Sequence, residues 1–305
     1  MVIPVDVCII TFRRPLQLSR LLHSLLAQQL DGIVMRIIVV DNDASRSARP
    51  ALDAHGPIAV AAAMQRVLYD VEPQQSIALA RNRAMAHVRA DYFAFVDDDQ
   101  TVSQTWLASL LAAMLRLHCD VVFGPVESTL PPNAPAWASR CFRRPQRLTG
   151  ELMQHGGAGN VMIRRKILGT MAFDPAYGLT GGEDTDFFYR MHCAGRYMVW
   201  CAEATATEPV PAMRLTLAWV RRRGFRDGQT YARIFVQPRA PWQKVGWLLR
   251  KLVHLIGGIL IAPVLRCVSY PRYVALTVRL AAASGQLAVL FSEGYVEEYR
   301  VPASR

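Results

Sequence analysis

The 305-residue chain is expected to fold as an α/β protein, with a mostly parallel central sheet, helices on both of its faces and a helical C-terminal segment. Three observations carry that expectation. The first 125 residues alternate short β-branched runs with runs of helical period. The strand-like runs are apolar throughout, as strands covered on both faces are. Polar residues gather at the carboxyl ends of those runs, where open α/β sheets bind their ligands.

Taken in order, Val5–Thr11 reads as the first strand and stops at the polar turn Phe12-Arg13-Arg14-Pro15. Leu16, Leu18, Leu21, Leu22, Leu25 and Leu26 then recur at helical spacing. Arg36–Val40 is a second strand ending at Asp41, and Arg66–Val71 a third. A helix over Ser76–Arg89 precedes the strand Tyr92–Val96, which runs into Asp97, Asp98 and Asp99. Thr105–Leu117 is helical, and Asp120–Phe123, Asn160–Ile163 and Tyr197–Trp200 are strands, with a helix over Glu183–Cys193 before the last. Val126–Gly157, rich in proline and without a clear period, reads as a long functional loop. There is no internal repeat.

Composition narrows the class. An apolar fraction of 52% with 19% charged residues excludes a disordered chain, and a core of this size needs no covalent staple. The six cysteines have no CxxC or zinc spacing and read as buried, reduced thiols of a cytosolic protein. The N-terminus carries no basic leader or cleavage site, so secretion is not indicated. Of the net charge of +11, most lies between Ala212 and Lys251, where ten basic residues surround the single acid Asp227. Such a block suits phosphates, on a nucleotide, a nucleic acid or a lipid surface. No stacking aromatics interleave it as single-strand binding requires, so nucleic acid is not the expected partner.

The tail is weighted towards membrane contact. Leu252–Leu265 is nearly uncharged but only about 14 residues long, short of the roughly 20 that span a bilayer. Tyr273–Phe291 carries Arg279, so neither segment is a clean span, and Lys244, Arg250 and Lys251 flank apolar surface as in an interfacial segment. Two core helices of a small subdomain are the other reading.

Three clusters can carry chemistry. Asp97, Asp98 and Asp99 at a strand end repel one another unless a cation neutralises them, and their hard oxygens suit Mg²⁺ or Mn²⁺ on a diphosphate. Asp97 and Asp99 share a direction by the two-residue period; a solvated loop or helix cap is the alternative. Glu183 and Asp184, after two glycines, can present a general base to a hydroxyl, or simply complement a helix dipole. Arg81 on a helix, and Arg222, Arg223 and Arg226 in the basic block, can contact phosphates or form surface ion pairs. Gly156-Gly157-Ala158-Gly159 lacks the strand–helix context of a dinucleotide loop, and the seven histidines converge on nothing.

The order of these motifs resembles family 2 glycosyltransferases of the GT-A fold over roughly residues 3–235. It runs from Thr11-Phe12-Arg13-Arg14-Pro15 through Val40-Asp41-Asn42, Ala80-Arg81-Asn82, Asp97-Asp98-Asp99 and Gly182-Glu183-Asp184 to Trp219–Arg226. Gly181–Phe188, Met191–Gly195 and Glu208–Pro211 look closer still to the succinoglycan-type exopolysaccharide glucosyltransferases. The resemblance implies a GT-A domain over 1–235, with a nucleotide-binding half to 125 and an acceptor half from 126, and a basic, apolar, membrane-associated tail over 236–305.

It also implies roles. Asp41 binds uridine beside Thr11 and Arg81; Asp97 and Asp98 contact the nucleotide, and Asp99 with Asp97 holds Mg²⁺ or Mn²⁺. Asp184 is the base, with Glu183 next to it, and Arg223 and Arg226 clamp the departing diphosphate where processive relatives carry a QxxRW motif, absent here. The expected reaction is inverting transfer, from UDP-glucose, to a polyprenyl-diphosphate-linked oligosaccharide on the cytoplasmic face of a bacterial inner membrane. Two rivals are a nucleotidyltransferase that makes the sugar nucleotide, and a non-catalytic membrane assembly subunit. The first lacks a glycine-rich triphosphate loop after strand one, and intact acids at Asp41, Asp97, Asp99 and Asp184 oppose the second.

Overall fold

The structure, a computed structural model, describes residues 2–53, 56–291 and 294–300. In chain order the elements are β1 (Ile3–Thr11), α1 (Pro15–Leu26), β2 (Ile33–Asp41), α2 (Arg49–Asp53), α3 (Pro57–Ala63), β3 (Val67–Val71), α4 (Ile77–Ala86) and β4 (Tyr92–Val96). Then follow β5 (Thr101–Val102), α5 (Trp106–Arg116), β6 (Val121–Phe123), β7 (Val126–Thr129), α6 (Ala138–Phe142), β8 (Asn160–Arg164) and α7 (Glu183–Cys193). The last are β9 (Met198–Trp200), β10 (Ala206–Pro209), α8 (Leu217–Phe235), α9 (Pro241–Val268) and α10 (Tyr270–Ala288). They group into two compact units, one of Met1–Glu127, Arg144–Glu208 and Tyr299–Arg305, the other of Ser128–Arg143 and Pro209–Glu298.

The first unit is built on a seven-stranded sheet of order β3-β2-β1-β4-β8-β6-β9. It is mostly parallel, as expected: β8 alone runs against its neighbours β4 and β6. Alternate β1 residues serve opposite faces. Val5, Val7 and Ile9 join the α1 leucines and Trp106 on one side, while Cys8 joins Phe93, Phe95, Phe187 and Phe188 on the other. Two buried faces explain why the strands are apolar without alternation.

The sequence reading needs three corrections here. The stretch 126–157 is not one long loop: it holds β7 and α6, and β7 joins β5 and β10 in a small separate sheet of order β5-β10-β7. Strands of two to four residues carry too little pattern to be legible. Of the cysteines only Cys8, Cys119 and Cys201 are buried; Cys141 is half-buried and Cys193 and Cys267 are exposed, although all six are free thiols. The apolar stretch 252–265 is the middle of a single 28-residue helix, α9, which continues through Pro263. Helix α8 groups with α9 and α10 in the second unit. It packs on α10 through glycines, and a Cβ on Gly228 would stand 2.0 Å from the Ala282 carbonyl oxygen, one on Gly285 at 1.9 Å from that of Phe225.

Candidate active site

The strand order reverses between β1 and β4, the kind of switch point at whose carboxyl ends α/β sheets place ligands. There Thr11, the last residue of β1, donates its hydroxyl to Asp98 Oδ2 at 2.8 Å. Arg14, in the turn before α1, donates Nη1 to Asp98 Oδ1 and to Asp99 Oδ2, each at 3.0 Å. Asp98 is therefore buried with both oxygens engaged, and it anchors the acidic loop. Burial pushes its carboxyl up to about 6 against the pull of Arg14 and Thr11. Arg14 carried no role in the sequence reading. Its place one turn beyond a strand end at the switch point was the available signal.

Arg81 rises from α4, a helix started by Ser76, whose hydroxyl accepts the Leu79 N–H at 3.3 Å. The guanidinium is buried, lies over the Phe173 ring at 5.6 Å from its centre, and donates to Glu183 Oε1 through Nη1 and to Asp97 Oδ1 at 3.4 Å through Nη2. It is thus an internal strut between α4 and the first turn of α7. Burial raises the Glu183 carboxyl to about 7, with Arg81 opposing and Asp184 adding to the rise. Burial likewise raises Asp97 to about 6, opposed by Arg81 and reinforced by Asp99 and Asp98. The Asp97 side chain keeps 45% of its surface accessible, which moderates that rise and leaves an approach for a cation.

Asp184 lies in the first turn of α7, whose N-cap Gly182 adopts φ 91°, a left-handed conformation that suits glycine. Its Oδ2 stands 3.4 Å from the Ala158 N–H. Ala158 belongs to the glycine loop before β8, and that loop has steric reasons for its composition. A Cβ at Gly156 would meet the Phe123 ring at 2.4 Å, and one at Gly159 would meet Asp97 Oδ2 at 2.4 Å. A Cβ at Gly157 would lie 3.4 Å from Asp184 Oδ2. One short loop therefore borders both carboxylates. It leads into a strand, so its rejection as a dinucleotide loop stands. His155, read as isolated, is within electrostatic range of Asp184; burial pushes its imidazole down, with Asp184 opposing.

Asp41 closes β2 and is 0% exposed. Its carboxylate accepts from Ala48 N–H at 2.7 Å, Tyr69 O–H at 3.0 Å and Asp43 N–H at 3.2 Å. It orders the turn that follows β2. Arg223 and Arg226 lie on α8 in the other unit, where both pair with Asp227, at 3.7 and 3.0 Å.

Among the described residues no group of three His, Cys, Asp or Glu side chains is arranged to hold a metal by itself. Asp97 and Asp99 do offer two hard carboxylates, and Mg²⁺ or Mn²⁺ at nucleotide sites takes one or two of these and fills the rest with phosphate oxygens and water. The space beside Asp97 Oδ2 exists because Gly159 has no side chain. The donor set fits a cation that arrives with a diphosphate.

The family profile described as Glycosyl transferase family 2 matches residues 6–171. The succinoglycan biosynthesis protein ExoM of Rhizobium meliloti (strain 1021) is 34% identical over 301 residues, 97% of this chain and 95% of that protein. Among solved structures, the mannosyltransferase PcManGT of Pyrobaculum calidifontis, in complex with GDP-Man and Mn²⁺, superposes with a TM-score of 0.66 at 16% identity, over 95% of this chain and 88% of its own. S. aureus TarS 1-349 in complex with UDP-GlcNAc gives 0.53 at 13% identity, over 95% and 92%. These likenesses share the GT-A fold with the present chain.

Proposed function

Because the chain belongs to glycosyl transferase family 2, we propose that it transfers a sugar, glucose by preference, from a UDP-sugar to a polyprenyl-diphosphate-linked oligosaccharide in exopolysaccharide synthesis. The reading places it on the cytoplasmic face of a bacterial inner membrane, where cytosolic donor and lipid-linked acceptor meet. Its likeness over nearly the full length of ExoM supports the biosynthetic setting. The Mn²⁺ held with GDP-Man by PcManGT supports a divalent cation.

One observation carries the chemistry: the loop Gly156–Gly159 borders Asp97 at one end and Asp184 near the other, so a donor-side carboxylate and a candidate base face a common space. In this reading Asp97 and Asp99 hold Mg²⁺ or Mn²⁺ against the diphosphate, and that ion neutralises charge on the departing UDP. Thr11 and Arg14 fix the acidic loop from below. Asp184 accepts the proton of the acceptor hydroxyl. Glu183, tied to Arg81, sets the position of the helix turn that presents it. The hydroxyl oxygen forms its bond to the anomeric carbon on the face opposite the leaving UDP, so an α-linked donor gives a β-glycoside. Arg223 and Arg226 carry the proposed role of receiving the diphosphate.

The test is the anomeric configuration of the product formed from UDP-glucose and a synthetic polyprenyl-diphosphate oligosaccharide, read by the proton coupling at the new linkage. A β-linkage is expected; an α-linkage contradicts single displacement, and release of diphosphate from UTP would favour a nucleotidyltransferase.

A further inference from the structure

We infer that α9 is an in-plane anchor whose outward face enters one leaflet of an anionic lipid bilayer. Among the described residues α9 is the one helix long and apolar enough to cross a membrane. Its placement argues for a different use. Within its unit the helix turns Trp247 and Gly258 inward, and a Cβ at Gly258 would meet Leu280 of α10 at 2.5 Å. On the opposite side Trp242, Leu249, Val253, Ile256, Leu260 and Val264 recur at steps of three, four or seven residues and are all exposed. This reverses the usual arrangement, in which the outward stripe of a surface helix is polar. Trp242 is 73% and Leu260 72% exposed.

Charge chooses the occupant. The helix contains no acid, and Lys244, Arg250, Lys251 and Arg266 lie off the apolar stripe, on its flanks and its protein side. From Pro209 to Phe291 there are thirteen Lys and Arg residues and the single acid Asp227. A second copy docking on the stripe would bring cations against cations in either orientation. Anionic headgroups complement them, each basic residue near such a surface contributing about 1 kcal/mol.

By length and overall composition α9 could cross a bilayer, but two features argue against a span. The uncharged run between Lys251 and Arg266 has 14 residues, about 21 Å of helix, against a hydrocarbon thickness of about 30 Å. Moreover α10 starts at Tyr270, directly after α9, and packs back along both α9 and α8. The glycine contacts leave no room for lipid between α10 and α8. Because α8 bears Arg221, Arg222, Arg223, Arg226 and Arg233, α10 shares its aqueous side. Lying flat, the stripe runs from Trp242 to Val264, about 33 Å, with cations beside it at headgroup level. The proposal rests on the tail unit alone and stands apart from the catalytic reading.

The experiment is flotation of the full chain with vesicles containing phosphatidylglycerol and with pure phosphatidylcholine vesicles, with circular dichroism as the check on folding and UDP binding measured separately. The wild type should float with the anionic vesicles. Leu249→Glu/Leu260→Glu should lower that partition by about tenfold or more, and Arg250→Glu/Arg266→Glu should do so by a similar factor. A tag fused after Arg305 should be removed by protease from cytoplasm-out membrane vesicles of expressing cells. Unchanged flotation of the Leu249→Glu/Leu260→Glu variant overturns the proposal. So does a protected tag, which would mean a span, or a dimer in solution that the same variant dissolves while the wild type ignores vesicles. UDP binding that fails while flotation behaves as expected would count against the catalytic reading alone.

Discussion

Arg81 and Glu183, 102 positions apart in sequence, form a buried ion pair that joins helix α4 to the first turn of α7, and the second Nη of the same guanidinium reaches Asp97. One side chain thereby ties the carboxylate at the donor side to the helix that carries the candidate base. Removing one partner of such a pair leaves an uncompensated buried charge. Arg81→Met is expected to destabilise the protein by about 3–5 kcal/mol in urea unfolding, and Arg81→Met/Glu183→Leu by less than Arg81→Met alone. Additive losses would show that the two are not coupled.

Much of this was legible and some was not, for physical reasons. The strands and their acidic ends could be read because burial on both faces leaves a continuous apolar run and a strand end is polar only where it must be. The partners of Arg81 could not be read: a helix position followed by Asn82 says nothing of a carboxylate on α7. Nor could Asp41 or Asp98 be recognised as inward-facing, since an acid at a strand end has the same local pattern whether it meets solvent, a ligand or a backbone N–H. The length of α9 was hidden by Lys244, Arg250 and Lys251, which a hydropathy reading treats as interruptions, whereas in three dimensions they flank a stripe.

The pH dependence follows from raised carboxyl pKa values. A group whose pKa is higher folded than unfolded binds its proton more tightly in the native state. Its stabilising contribution is complete below the unfolded value, near 4, and is lost as pH rises through about 6 for Asp97 and Asp98 and about 7 for Glu183. His155, pushed down, acts in the opposite sense over part of this range. Asp70, held below the usual range by Arg83 and His87, loses its contribution only at lower pH. With chelator present, the thermal midpoint is therefore expected to be higher near pH 5 than near pH 8. Added Mn²⁺ should narrow the gap at the higher pH by neutralising Asp97, the one of the three that is placed to hold the ion. A midpoint that rises from the lower to the higher pH in chelator would contradict the shifts.

Gly159→Ala is a steric probe of the site. The new methyl would stand 2.4 Å from Asp97 Oδ2 and 2.9 Å from Gln100 Nε2, so one of them must move. Donor KM should rise and metal dependence weaken. Gly246→Ala, in the exposed interior of α9 with nothing within 4 Å of its Cβ, should leave activity unchanged and stabilise its helix by up to about 1 kcal/mol. Equal kinetics for the two variants would remove Gly159 from the site.

The division of labour between the neighbouring acids is testable by kinetics. Asp184→Asn should lower kcat by about 10²–10⁴ with UDP affinity retained. Full turnover in that variant would dismiss Asp184 as the base. Glu183→Gln, losing an ion pair rather than a proton acceptor, should act mainly on stability and on the pH profile.

The central claim is that Asp97 and Asp99 hold a divalent cation together with the diphosphate of a uridine nucleotide. It is tested most directly by titration calorimetry of UDP into the wild type and Asp99→Ala, with Mn²⁺ and with chelator. The account predicts UDP binding that depends on Mn²⁺ in the wild type and is lost or weakened at least tenfold in the variant, roughly the 1.4 kcal/mol of one charge-assisted contact. Equal UDP affinity with and without Mn²⁺, or in wild type and variant alike, would contradict it.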